Sequence, residues 1–232
     1  MFCKKIFAPK EKPQMEKRDE NRADAIRILL IRHGETDWNH THRFQGRSDV
    51  PLNRKGVKQA EALGSALKLE LLAAIYTSPL SRAAETARII GSFHPDAPIY
   101  TDDGLIEMDL GDFDGIQAPR WADQYPEFLK EWRRDPSRLR MPGGETLSEV
   151  QSRAIETLGR IIRPYDPGST LAVACHNFVI LSILCSATRI PLSRLRELRQ
   201  ETAAFSVLYK KGEILWAELI NSRAHLEGVD YQ

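Results

Sequence analysis

Cysteine is scarce in this chain: three in 232 residues, Cys3, Cys175 and Cys185. That is too few for a disulfide framework, and no pair has the spacing of a zinc knuckle. Cys175 and Cys185 sit in apolar stretches, so both are expected to be buried free thiols in a reducing, cytoplasmic setting. Charge of one sign is lacking too. Lys and Arg number 33 against 32 Asp and Glu, a formal +1. No global field draws such a chain to nucleic acid or to an anionic membrane, so partners must be argued from local sites. No apolar run reaches the ~20 residues of a membrane span. The opening MFCKKIFAPKEKPQMEKRDENRAD has no continuous apolar segment of the kind a secretory signal needs. With mixed charges and two prolines, residues 1–24 read as a mobile tail, with Met15 as an alternative start and the folded domain at 25–232. Beyond that tail there is no repeat and no low-complexity tract.

What remains alternates between two periodicities. The run 26-IRILLI-31 reads as a buried parallel strand. A helix is expected over 54–70, with Val57, Ala60, Leu63, Leu67 and Leu71 at helical spacing. A strand at 73–78 and a helix at 80–90 follow, the helix stopping at Gly91. An extended piece at 98–101 leads into a turn-rich stretch, 102–115, and a Trp-rich charged helical region at 119–134. After a Pro-Gly-Gly break at 142–144 come a helix at 145–163, the most apolar strand at 169–175, a helix at 177–187, and a hairpin over 203–220 turned at Lys211-Gly212. Strands alternating with helices imply right-handed crossovers and a three-layer α/β/α domain with a mainly parallel sheet. Residues of about 102–150 break the alternation and are expected to form a small helical cap insertion.

In open α/β sheets, ligands bind beyond the carboxyl ends of the strands. That rule selects Arg32-His33, the stretch Ser78 to Arg82, the Glu107 region and His176. Together Arg32, Arg82, His33 and His176 would make a compact cationic cluster joined by one carboxylate. Such a cluster suits a phosphoryl group, which carries about −1.5 to −2 charge near neutral pH and offers oxygens to forked arginine contacts.

These residues also carry a resemblance. The segments 31-IRHGETDWN-39 and 43-RFQGRSDVPLNRKGVKQA-60 resemble the histidine phosphatase superfamily, in its phosphoglycerate-mutase-like branch. So do 77-TSPLSRAAETA-87, 105-LIEMDLGDFDG-115, 141-MPGGETLSEVQSR-153 and 173-VACHN-177, in the same order. The resemblance spans about residues 26–220. It implies a phosphomonoesterase acting on a small phosphorylated molecule, with no metal and no cofactor. His33 would be the nucleophile that becomes phosphorylated, and Arg32, Arg82 and His176 would hold the phosphoryl oxygens. Gly34 would give the chain room beside the phosphate and orient the His33 ring through its carbonyl. Asn39 would contact the phosphoryl group and Gln45 the substrate side. Glu107 matches the acid-base position, although Asp109 and Asp112 stand close enough in sequence to take that role.

Several features have plainer readings. His40 and His42, near His33, suggest a metal site, but no further ligand set completes it. Arg43 is either a substrate contact or, with Arg47 and Arg54, part of a solvated loop face. Trp121, Trp132, Tyr125 and Phe128 are expected to pack the cap, with an aromatic platform for substrate as the alternative. Arg133, Arg134, Arg138 and Arg140 read as helix surface, and Cys175 as core filler. Departures from the family pattern are Asn177 in place of a glycine, where it could contact substrate, and Phe113-Asp114-Gly115 in place of Trp-acid-Gly. The stretch after Glu107 lacks the Arg-x-Tyr-Gly of cofactor-dependent mutases, and no mutase-like C-terminal extension is read, which favours a phosphatase. A cofactor-dependent phosphoglycerate mutase is the rival enzyme. A non-catalytic phospho-ligand-binding module is the rival from another class, and it would show degraded catalytic positions. No motif specifies an oligomeric state.

Overall fold

The computed structural model describes residues 22–229 and 231. The expected tail therefore lies outside the described residues up to position 21. Arg22, at its end, already joins the domain through an ion pair with Glu218 at 2.8 Å. Six strands form one sheet: β1 (Ile26–Arg32), β2 (Leu72–Thr77), β3 (Ile99–Thr101), β4 (Thr170–Cys175), β5 (Phe205–Lys211) and β6 (Ile214–Ser222). Their spatial order is β3-β2-β4-β1-β5-β6. The first four are parallel to one another, and the β5–β6 hairpin adds antiparallel strands at one edge. Gly212 turns the hairpin at φ +54°, a conformation that favours glycine.

Side-chain alternation divides the core in two. Ile28 and Leu30 of β1, with Leu171, Val173 and Cys175 of β4, face one layer. Leu29 and Ile31, with Ala172 and Ala174, face the other. The second layer holds α2 (Arg54–Leu67) and α3 (Ser81–Gly91), through Leu63, Leu67, Ala87 and Ile90. The first holds α6 (Leu147–Ile162) and α7 (Asn177–Thr188), through Val150, Leu158, Val179 and Ile183. Three-layer α/β/α architecture follows directly. The strand run is apolar on both faces because both faces are covered. Among the described residues no helix is long and apolar enough to cross a membrane.

The short α1 (Asp37–His40) follows β1, closed at its start by a capping box between Thr36 and Asn39. The connection from β3 to α6 carries α4 (Ala118–Gln124) and α5 (Pro126–Arg134). The single helical region expected over 119–134 is thus two helices, broken at Tyr125 (ψ 54°), because the residue before a proline is pushed out of the helical region. Two further boundaries differ from expectation. α2 stops at Leu67 rather than 70, since the chain must turn into β2, and Leu71 is 92% exposed instead of lying on the helix's buried face. Gly91 is the last helical residue, with the cap at Ser92, and a Cβ on it would come 2.7 Å from the tip of the Ile99 side chain, so it lies against β3.

Candidate active site

β1 and β4 are neighbours, with Arg32 registered against Cys175. The residues that follow, His33 and His176, leave the sheet at the same level, and the His33 N–H donates to the Cys175 carbonyl at 3.1 Å. Their ring centroids stand 5.2 Å apart, with the planes at 57°.

His33 is buried, and its Nδ1 lies 2.7 Å from the Gly34 carbonyl. A carbonyl only accepts, so Nδ1 carries the proton and the lone pair of the neutral ring sits on Nε2. Burial, and then the Arg82 and Arg32 cations, holds the ring's pKa well below its ordinary 6.5. Gly34 thus orients the ring as expected, but its lack of a side chain has another cause than room beside a phosphate. Its φ is not in the left-handed region, and a Cβ there would meet the Gly56 carbonyl oxygen at 2.3 Å. Conversely, a Cβ on Gly56 would meet the Glu35 carbonyl oxygen at 2.1 Å. Two glycines let the loop after β1 lie backbone to backbone on α2.

Arg82, in the first turn of α3, is fully buried. Its Nη1 donates to the Ser48 carbonyl (2.8 Å) and Nη2 to the Gly46 carbonyl (2.7 Å). The N–H groups of the same two residues donate to the Asp114 carboxylate, both at 2.8 Å. Asp49 accepts the Ser81 N–H at 2.7 Å. The 46–49 loop is therefore clamped between α3 and Asp114, and it fixes the guanidinium. Burial lowers Arg82 to about 10, which leaves it a cation at neutral pH. Arg32 donates through Nη1 to the Gln200 carbonyl. The Ala203 N–H donates to the His33 carbonyl at 3.0 Å, bracing the nucleophile's backbone from the β5 side.

Glu107 is buried. Its Oε1 accepts the Met108 N–H (2.8 Å) and its Oε2 accepts the Phe178 N–H at the start of α7 (3.2 Å). Burial raises its pKa against the pull of those two bonds and of Arg82 and Arg32. Arg153 of α6 holds the segment in place, donating to the carbonyls of Gly104 (3.0 Å), Ile106 (2.6 Å) and Glu107 (3.1 Å) while paired with Glu145. The two other acids are differently placed. Asp109 pairs with Arg47 at 3.3 Å and accepts the Gly111 N–H, and Asp112 is exposed.

His176 is fully buried, with Nε2 2.7 Å from the Ser78 hydroxyl. Its pKa is also held well below 6.5, by burial first and then by Arg82. Gln45 Oε1 accepts from Thr36 Oγ1 (2.8 Å) and Asn39 Nδ2 (3.3 Å), which turns its Nε2 the other way. Among the described residues, Arg32 Nε, Arg82 Nε, Gln45 Nε2 and His176 Nδ1 are buried without a hydrogen-bond partner. Orphaned buried donors are costly, and the N–H groups of Arg32, Arg82 and Gln45, beside a His176 nitrogen that donates in one tautomer, suit an anion rich in acceptor oxygens.

The structure thus gathers Arg32, His33, Arg82, Glu107 and His176 at one edge, with Gln45 beside them. Asn39 is engaged in the α1 capping box and in orienting Gln45. Arg43 is exposed and donates to the Gly115 carbonyl at 3.0 Å, where residues 43–44 run against 115–117. Asn177 opens α7 and is half-buried. His40 and His42 are exposed, and no group of three or more His, Cys, Asp or Glu among the described residues is arranged to hold a metal ion. Trp121 packs edge-on against Phe44, Phe113 and Phe128, while Arg133, Arg134 and Arg138 are exposed and Arg140 pairs with Glu149.

Sequence reasoning reached Ser78 only as the start of the Ser78 to Arg82 stretch and Asp114 only within the altered Phe-Asp-Gly, and it gave no role to Arg153 or Gln200. Ser78 carried a usable signal in its place at a strand end. Asp114 stood in the altered Phe-Asp-Gly, whose acid is the part that is kept. Gln200 carried no local signal, since it acts through its backbone carbonyl.

Comparison with known proteins places the chain in a family. A phosphoserine phosphatase 1 of Hydrogenobacter thermophilus is 30% identical over 184 residues, 79% of this chain and 86% of that protein. A 2,3-bisphosphoglycerate-dependent phosphoglycerate mutase 2 of Gloeobacter violaceus is 34% identical over 161 residues, 68% of this chain and 73% of that one. The solved structure of Bacillus stearothermophilus YhfR superposes with a TM-score of 0.82 at 31% identity, covering 88% of this chain and all of that one. The profile of the histidine phosphatase superfamily (branch 1) matches residues 28–222, and the chain belongs to that superfamily.

Proposed function

We propose that this protein is a metal-independent phosphomonoesterase that hydrolyses a small phosphorylated metabolite through a phosphohistidine on His33. The observation that carries this reading is the fixed tautomer of His33, whose Nε2 lone pair is left free in a neutral ring beside buried Arg82 and half-buried Arg32. Nε2 attacks phosphorus, and the bond from phosphorus to the ester oxygen breaks. Glu107, its pKa raised by burial, gives its proton to the departing oxygen. Arg32, Arg82, His176 and Gln45 hold the three equatorial oxygens through the transition state. Water then attacks phosphorus and passes a proton to Glu107 while the phosphorus–nitrogen bond breaks and returns its electron pair to Nε2, releasing inorganic phosphate and restoring both groups. Asn39 acts by orienting Gln45, and Asn177 borders the substrate at the start of α7.

A second reading, phosphoryl transfer as a mutase, is favoured only by the mutase named among the relatives. The absence of Arg-x-Tyr-Gly after Glu107 speaks for hydrolysis. Rapid quench with a ³²P-labelled monoester tests the proposal: an acid-labile, alkali-stable phosphoenzyme is expected in the wild type and none in His33→Ala. Turnover of that variant should fall by at least ~10⁴-fold, as when a nucleophile is removed. Retained turnover would refute the phosphohistidine route. Isomerised product formed only with 2,3-bisphosphoglycerate present would select the mutase.

A further inference from the structure

A small hollow of about 60 Å³ lies between the β3–α6 connection and the sheet edge. Its lining is wholly apolar and includes Phe44, Phe113, Trp121, Trp132, Met141 and Phe178. It adjoins the reaction centre through Phe178, which turns its ring into the hollow's wall while its backbone N–H donates to Glu107 Oε2 at 3.2 Å. Phe44, on the far wall, directly precedes Gln45. Edge-on ring contacts at 5.1 Å (Phe44–Trp121), 5.5 Å (Phe113–Trp121) and 6.1 Å (Trp132–Phe178) brace the walls, so the space has a fixed shape.

We infer that this hollow is a leaving-group subsite: it receives a short apolar segment of the substrate's alcohol. A dry cavity of ~150 Å³ takes a benzene molecule, so 60 Å³ takes a piece of roughly two or three carbons. The inference rests on the phosphatase reading and assigns it a substrate class, esters of small, partly apolar alcohols. Sugar phosphates would bring hydroxyl groups that these apolar walls leave without partners.

The test is a series of n-alkyl phosphates from methyl to hexyl, assayed for phosphate release with the full chain. Their leaving groups differ little in basicity, so chain length reports on binding space. kcat/KM is expected to rise about fourfold per methylene for two or three methylenes and then level off. Met141→Phe, which fills the hollow, should abolish the rise and leave methyl phosphate unchanged. Trp132→Ala, which opens a wall, should extend the rise to longer chains and covers the case in which the filled variant does not fold. Turnover of methyl phosphate with no gain along the series, or a gain insensitive to both wall variants, would overturn the subsite alone. No turnover of any ester would overturn the phosphatase reading with it.

Discussion

Glu107 must hold a proton when the leaving oxygen departs, and burial supplies the means by raising its pKa above the ordinary 4.5. The alkaline limb of kcat/KM is therefore expected above the range of a solvated carboxyl group, and Glu107→Gln should remove that limb. The same substitution should lower kcat for an alkyl phosphate by about 10²–10⁴-fold. It should cost much less with nitrophenyl phosphate, whose leaving group needs little protonation. Equal losses on both esters would take the acid role away from Glu107. The competing acids could be separated only in three dimensions. In sequence, Asp109 and Asp112 share one turn-rich stretch with Glu107; in the fold, Asp109 faces Arg47 and Asp112 faces solvent. The histidines, by contrast, were legible from the chain, because an apolar strand that ends abruptly in a titratable group places that group at the sheet edge.

At the scale of elements, the 46–49 loop joins two parts of the molecule. Its carbonyls hold Arg82, and its N–H groups are held by Asp114 from the connection after β3. Asp114→Asn replaces one accepting oxygen with a donor facing the Gly46 or Ser48 N–H. Hydrogen bonds to a charged group contribute about 1.5–3 kcal/mol, so one lost bond is expected to loosen the loop without unfolding the domain. Arg82 would then sit less firmly. Steady-state kinetics should give kcat/KM for methyl phosphate lowered by about tenfold or more, with a melting temperature shifted by only a few degrees. A change in melting temperature with kinetics untouched would make Asp114 merely structural. This coupling was hidden in the sequence, since its partners stand 66 and 68 residues apart and act through backbone atoms. The helices and strands themselves were readable from periodicity, and the misplaced boundaries fall where packing decides: Leu71 beyond the end of α2, Gly91 against Ile99, and Tyr125 before Pro126.

Across the whole molecule, the buried titratable groups set how stability follows pH. His33 and His176 are neutral when folded, with pKa values held well below 6.5 by burial and then by Arg82. Unfolded, each titrates near 6.5. Between the lowered native value and 6.5, the unfolded chain binds more protons, so stability falls as pH drops through that window. The slope is up to about 1.4 kcal/mol per pH unit for each ring. Glu107 acts in the opposite sense. Its raised pKa keeps a proton in the native state that the unfolded chain loses above about 4.5, so its contribution falls as pH rises toward the native value. These two rings, joined by His94 and His225, whose pKa values burial also lowers, outnumber the one raised carboxyl and predict a net loss on the acid side. Urea unfolding from pH 7.5 to 5.5 should record it, and His176→Gln should flatten the slope. An unchanged slope would remove His176 from the account.

The nucleophile and the acid are anchored in different ways, and heat should separate them. His33 follows a strand paired on both sides and registered residue by residue with β4. Glu107 lies in an irregular stretch between two 3-10 turns, held by Arg153 and the start of α7. Segments without a strand ladder open locally at lower free energy than core strands. On gradual warming, the catalyst should therefore lose its demanding substrates before its easy ones: cleavage of alkyl esters fades first, while cleavage of nitrophenyl phosphate persists until the sheet itself melts. Parallel inactivation curves for the two esters would mean that the acid's segment is as firmly anchored as the strands.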